Sequence, residues 1–130
     1  MNITLIKQTI EGSINATMIF PQIAGLLLEE GIESYHVDIV LSENRYYKPC
    51  GESHVAKIEL PHSHPAENFS AEQVNAAVRK VQAGNSNYKN FMKEITDAGC
   101  VFYIAYLTGK KVIYFGRKGE MHVELFPQTK

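Results

Sequence analysis

The spacing of apolar residues changes along the chain, and each change marks an element. From Ser70 onward a helix start is written out. Ser70 is a good N-cap, Gln73 completes a capping box, Phe69 and Val74 make a hydrophobic staple, and Val74, Ala77, Val78 and Val81 form one stripe before Gly84 stops it. The next helix begins near Ser86, carries Tyr88, Phe91 and Ile95 at i, i+3 and i+7, and ends at Gly99. An earlier pattern has Pro21 in its first turn, Ile23, Leu26 and Leu27 on one side, and Gly31 after it. An opening helix over roughly Ile3 to Glu11 rests on Ile3, Ile6 and Ile10. Between these, the period drops to two. Ser34 to Val40 alternates, with Tyr35, Val37 and Ile39 on one face and Ser34, His36 and Asp38 on the other. Val101 to Leu107 is apolar on both faces, as in a strand covered on both sides. Thr108-Gly109-Lys110 reads as a hairpin turn into the strand Val112–Phe115, and Glu43-Asn44 plays that part earlier in the chain. Third strands run from about His54 to Leu60 and from His122 to Phe126, each closed by a proline, Pro61 and Pro127.

These elements occur twice in the same order. Gly51-Glu52-Ser53-His54-Val55 returns 68 positions later as Gly119-Glu120-Met121-His122-Val123. The same shift pairs Gly31 with Gly99, Tyr35 with Tyr103, and Tyr46 with Tyr114, without a gap. The predicted fold is α+β: two pseudo-symmetric units of helix, helix and three strands, about 2–61 and 70–127, joined by a linker over 61–69. They form an antiparallel sheet covered by helices, as one sheet of about six strands or two of three.

Length and composition narrow the function classes. A chain of 130 residues, 45% apolar and 21% charged, is one domain able to order its core. The net charge of −1 gives no whole-molecule basic field, so nucleic acid is not an expected partner. The longest apolar run, Ile23 to Leu28, is far short of a membrane span, so no membrane is expected and the cytoplasm is the expected location. Two cysteines, Cys50 and Cys100, read as free thiols. The charge is unevenly divided: residues 1–65 carry four basic and eight acidic side chains, residues 66–130 nine and six. Such a dipole suits self-association, and Lys110, Lys111, Arg117 and Lys118 suit an acidic partner.

Several constellations can carry chemistry. His36 and Asp38 share a strand face, where they serve as metal ligands or an acid–base pair, or simply as a solvated polar edge. Glu52 and His54, with their counterparts Glu120 and His122, are either a duplicated site or a duplicated turn device in which a positive-φ glycine is followed by side chains that bond the loop. Tyr46 and Tyr114 belong to a strand-borne aromatic set that packs a core or lines a pocket for a small planar ligand. His62-x-His64 reads as solvated linker, and Cys50 as an exposed thiol.

Gly31-Ile-Glu-Ser-Tyr-His-Val-Asp38, Tyr46-Tyr47-x-Pro49-x-Gly51-Glu52-Ser53-His54, Ala98-Gly99-Cys100 and the run Tyr114-Phe115-Gly116-Arg117-x-Gly119-Glu120-x-His122-Val123-Glu124-x-Phe126-Pro127 resemble a bacterial family of unknown function, the YbcV-like proteins, often described as "phage envelope protein". The resemblance spans about Phe20 to Pro127 and implies no activity. Pro49-x-Gly51-x-x-His54, with His36-x-Asp38 before it, also echoes the two cupin metal motifs. The expected function is a small-ligand-binding or interaction module, alone or as a homo-oligomer, with His36, Asp38, His54 and His122 as polar contacts of a pocket between the units. The alternative is an enzyme in which the Glu/His pairs converge for acid–base or metal-assisted chemistry. No cofactor is named by these residues.

Overall fold

The computed structural model describes residues 1–59 and 64–127. Four helices, α1 (Ile3–Ile14), α2 (Phe20–Glu30), α3 (Ala71–Gln82) and α4 (Tyr88–Asp97), alternate in pairs with strands β1 (Ser34–Asp38), β2 (Glu43–Tyr47), β3 (Ser53–Lys57), β4 (Cys100–Tyr106), β5 (Lys111–Gly116) and β6 (Met121–Leu125). Side-chain N-caps hold three of the four helix starts. Asn2 accepts from Leu5 N at 3.0 Å and Ser70 from Gln73 N at 3.2 Å. Asn87, rather than Ser86, caps α4, accepting from Asn90 N at 2.9 Å. Replacing Ser70 by Ala leaves that N–H without its acceptor and is expected to cost about 1 kcal/mol, read as a drop of about 4 °C in melting temperature.

All six strands form one antiparallel sheet in the order β3-β2-β1-β4-β5-β6, which decides between one sheet and two. The pairings follow the 68-residue shift. Tyr35 opposite Tyr46 becomes Tyr103 opposite Tyr114, and Tyr46 opposite His54 becomes Tyr114 opposite His122. In the central β1–β4 ladder, His36 lies opposite Ile104, its own counterpart 68 positions on, so the two halves meet about that pair.

Alternation separates two faces. Tyr35, Val37, Asn44, Tyr46, Tyr103, Ala105, Val112 and Tyr114 point inward and are buried. They share one core with Ile6 of α1, Ile23 and Leu27 of α2, Val74 and Val78 of α3, and Phe91 and Ile95 of α4. The other face carries two textures. Its β1–β3 half is mostly polar, with His36, Asp38, Glu43, Arg45 and Lys57 beside Tyr47 and Val55. Its β4–β6 half is apolar: Phe102, Ile104, Ile113, Phe115, Met121, Val123 and Leu125.

Two expectations are corrected. Glu43 and Asn44 are not a turn but the start of β2, opposite Asp38 and Val37. The turn falls earlier, where Asp38 Oδ1 accepts from Leu41 N at 2.9 Å and Ser42 takes φ 54°, the conformation that Lys110 takes, at φ 56°, in the second hairpin. β4 is packed by helices on its inward face, and on its outward face Ile104 is buried while Phe102 and Tyr106 are half-buried. Among the described residues, the helices contributing to the core meet the inward face, and the apolar outward residues of β4 pack mainly on sheet neighbours, Phe102 stacking on Phe115 with centroids 4.6 Å apart. The third strands also stop three residues and one residue short of their expected ends. Of the linker read from the sequence, Pro61, His62 and Ser63 lie outside the described residues.

Candidate functional site

The sheet distributes the sequence-picked residues over both faces and both edges. His36 and Asp38 face outward. Asp38 holds its turn and lies 3.8 Å from Arg45, which also pairs with Glu43 at 3.4 Å. His36 rests against the Tyr47 ring at 4.9 Å, and desolvation together with the Arg45 charge lowers its pKa. His54 and His122 face inward on β3 and β6, the two edges of the sheet. Five interstrand steps of about 4.8 Å put them about 24 Å apart. The two Glu/His pairs therefore do not converge, and the cupin-like grouping of His36, Asp38 and His54 is divided between opposite faces. Among the described residues, no three His, Cys, Asp or Glu side chains gather as metal ligands.

The Gly-Glu-x-His motifs work as turns. Gly51 and Gly119 take φ 95° and 85°, which a side chain would strain. Lys48 N donates to Glu52 O at 2.9 Å and Gly116 N to Glu120 O at 2.8 Å, one pattern in two places. Glu120 Oε1 accepts from Lys118 N at 2.9 Å, whereas Glu52 meets the chain's amino terminus. Lys48 lies 4.0 Å from Glu52 as well, a pair that contributes little because Glu52 is solvent-exposed.

Two concavities stand out among the described residues. The first lies between α1, α2 and the inward face of the first half-sheet, lined by Thr9, Ile10, Ser13, Leu27, Asn44 and Ile58 together with Tyr35, Tyr46, Tyr88 and Tyr103. Counted out to its mouth it holds about 330 Å³ of atom-free space, of which about 20 Å³ admits the centre of a water molecule. Among the described residues, no charged side chain lines it. Burial raises the phenol pKa of Tyr46 to about 12 and pushes those of Tyr35, Tyr88 and Tyr103 up as well, so all four are neutral hydrogen-bonding groups. Tyr35 and Tyr46 stack with centroids 5.3 Å apart, and the Tyr88 hydroxyl is bonded to Tyr103. Thr9 donates to Ile6 O at 2.7 Å and Ser13 to Thr9 O at 3.0 Å, so these hydroxyls serve their own helix. Asn44 differs. Its Nδ2 donates to Tyr46 Oη at 3.0 Å, while its buried Oδ1 has no partner. Exchanging the two amide atoms leaves one of them unpartnered all the same.

The second concavity is a groove between α3 and β6 lined by Asn75, Arg79, Gln82, His122, Glu124 and Leu125. Arg79 Nη1 lies 2.6 Å from Glu124 Oε1, and Glu124 Oε2 lies 3.3 Å from His122 Nε2. The first half has no such relay, because Ala56 and Glu11 stand at the positions of Glu124 and Arg79.

The description "Protein of unknown function (DUF1398)" belongs to the family whose sequence model matches residues 56–124. The chain is a member of this family. No curated protein matches the sequence. Membership brings no activity with it, so the site has to be judged on its own geometry. Among the described residues of this DUF1398 protein, no helix is long and apolar enough to cross a membrane. Of the residues picked from sequence, Tyr46 lines the crevice and His122 the groove, Tyr114 is buried in the core beside both, and Glu52 and Glu120 belong to turns. Sequence reasoning passed over Asn44, Arg79 and Glu124. For Asn44 a signal existed: two residues before Tyr46 on the same strand, it had to face the core with Tyr46 once the turn was placed correctly.

Proposed function

We propose that this protein binds a small uncharged molecule in the tyrosine-lined crevice beside Asn44. The observation that carries this reading is the buried, unpartnered end of the Asn44 amide, next to an opening whose other polar walls are neutral phenols and the helix-bonded hydroxyls of Thr9 and Ser13. Leaving such an atom unpaired costs on the order of 1–3 kcal/mol, which a guest donating an N–H or O–H recovers. A charged guest would be stripped of water with no counter-charge in the lining. Flat aromatic alcohols and amines match the stacked Tyr35 and Tyr46 rings. The present opening admits one water-sized guest, and a larger one enters by moving α1 away from the sheet. The test is an NMR titration with phenol and with indole. Shifts centred on Asn44, Tyr46 and Tyr88, and at least tenfold weaker binding in Asn44→Ala with the fold retained, are expected. If neither probe moves those resonances up to its solubility, the crevice is a hydrated packing defect and the reading fails.

The enzyme alternative needs the Glu/His pairs together, and the separation of His54 from His122 speaks against it. The common 68-residue shift of the ladders supports reading the chain as two copies of one unit, about 2–61 and 70–127, in a single domain. The resemblance to the YbcV-like proteins supports a place beside them within the wider family and adds no ligand.

A further inference from the structure

The two edges of the sheet are built differently, and among the described residues only β3 carries an outward-facing charge. On β3 the outward side chains are Ser53, Val55 and Lys57, and Lys57 is an edge charge of the kind that blocks strand addition. On β6 they are Met121, Val123 and Leu125, exposed by 57%, 46% and 67%. No proline interrupts β6, and the α3 groove leaves its flank open. A five-residue apolar edge with open backbone groups is a template for another strand.

From these features we propose that β6 is a self-association edge: β6 of one chain pairs antiparallel with β6 of a second copy about a two-fold axis at Val123. Three independent features agree on that register. The first is the backbone. Gly116 N bonds Glu120 O and Phe126 N bonds Lys110 O, so the even-numbered residues of this strand spend their backbone groups on β5. Those of Met121, Val123 and Leu125 point away, free for a neighbour, and pairing about Val123 matches each with a free counterpart. The second is the apolar set: Met121 falls opposite the partner's Leu125, and Val123 opposite the partner's Val123. The third is charge. On the groove side, His122 falls opposite the partner's Glu124, and Glu124 opposite the partner's His122, so the intrachain His122–Glu124 contact of each copy, 3.3 Å long, is set beside a complementary one across the axis. The strand Met-His-Val-Glu-Leu is thus chemically self-complementary when reversed. The same operation on β3 about Val55 sets Ser53 opposite Lys57 and His54 opposite Ala56, with no such match. A net charge of −1 puts no repulsion in the way.

Cysteine cross-linking tests the register directly, in a Cys50→Ser background that removes the exposed thiol and leaves buried Cys100. Paired residues in this position sit about 5.5 Å apart between Cα atoms, within disulfide range, whereas Met121 and the partner's Met121 would be about 15 Å apart. Val123→Cys is expected to form a disulfide-linked dimer under mild oxidation, Met121→Cys and Leu125→Cys each alone to remain unlinked, and the last two mixed to cross-link. Val123→Pro removes only an outward N–H, so it should keep the wild-type circular dichroism spectrum and lose the dimer in sedimentation. A wild-type chain that sediments as a monomer up to millimolar concentration overturns the proposal. So does a dimer that survives Val123→Pro, or cross-linking of Met121→Cys alone as readily as Val123→Cys. The phenol crevice lies at the other half of the sheet, so these outcomes do not bear on it.

Discussion

Raising the pH above 10 is expected to unfold the protein within one to two units. Burial raises the phenol pKa values of Tyr35, Tyr46, Tyr88, Tyr103 and Tyr114, Tyr46 to about 12 and the others beyond the ordinary range, and pushes the Cys100 thiol up to about 12. In the unfolded chain the phenols ionise near 10 and the thiol near 8.5. Groups whose folded pKa lies above the unfolded one contribute stability in full below the unfolded value and lose it as the pH climbs towards the folded value. Each proton held by the folded chain and released by the unfolded one removes about 1.4 kcal/mol per pH unit, so five phenols together remove roughly 7 kcal/mol per unit. A domain with about 5–15 kcal/mol of stability does not survive two such units. Far-ultraviolet circular dichroism and phenolate absorbance recorded through the same titration should change together. Ionisation of these five tyrosines well before the loss of secondary structure would show that the phenols are not sealed.

Gly99→Ala is expected to lower the melting temperature by about 7–15 °C. Gly99 takes φ 89°, and an added Cβ would fall 2.8 Å from Phe69 Cα and against the Asn68 carbonyl. Both are backbone, in a segment already tied to the end of α4 by Ser70 N to Ala98 O at 2.8 Å and Ala66 N to Thr96 O at 3.1 Å. The left-handed conformation costs a side chain about 1 kcal/mol, and forcing the neighbouring backbone aside adds about 1–3 kcal/mol. Gly51→Ala is the control. Its φ is 95° with nothing within 4 Å of the new Cβ, so it pays the conformational cost alone and should shift the melting temperature by about 4 °C. Equal shifts in the two variants would mean that the 64–70 segment yields freely to Gly99.

Local rules carried far in this chain. Ser70 with Gln73 and the Val74, Ala77, Val78 stripe specified α3 almost to the residue, because a cap and a 3.6-residue period are read within a dozen positions. Alternation named the inward face of β1 for the same reason. The first hairpin was misplaced because its turn is made by Asp38 and a left-handed Ser42, without the glycine that normally marks one. The candidate residues fared unevenly. Glu52 and Glu120 were visible as a motif, but whether a repeated Glu serves a turn or a ligand is decided by what lies across from it, and Lys118 N is what lies across from Glu120.

By itself the sequence determined the helix and strand order and the α+β class, both of which depend on neighbours within a few residues. Only the tertiary structure decided that the halves join through β1 and β4, which places His54 and His122 at opposite edges and parts His36 from both. It likewise decided that Asn44 is buried without a full set of partners and that β6 is an open edge. Those outcomes follow from strand pairings across more than 60 residues of chain, where side-chain patterns that are locally equivalent permit several sheet orders and only the packed whole selects one.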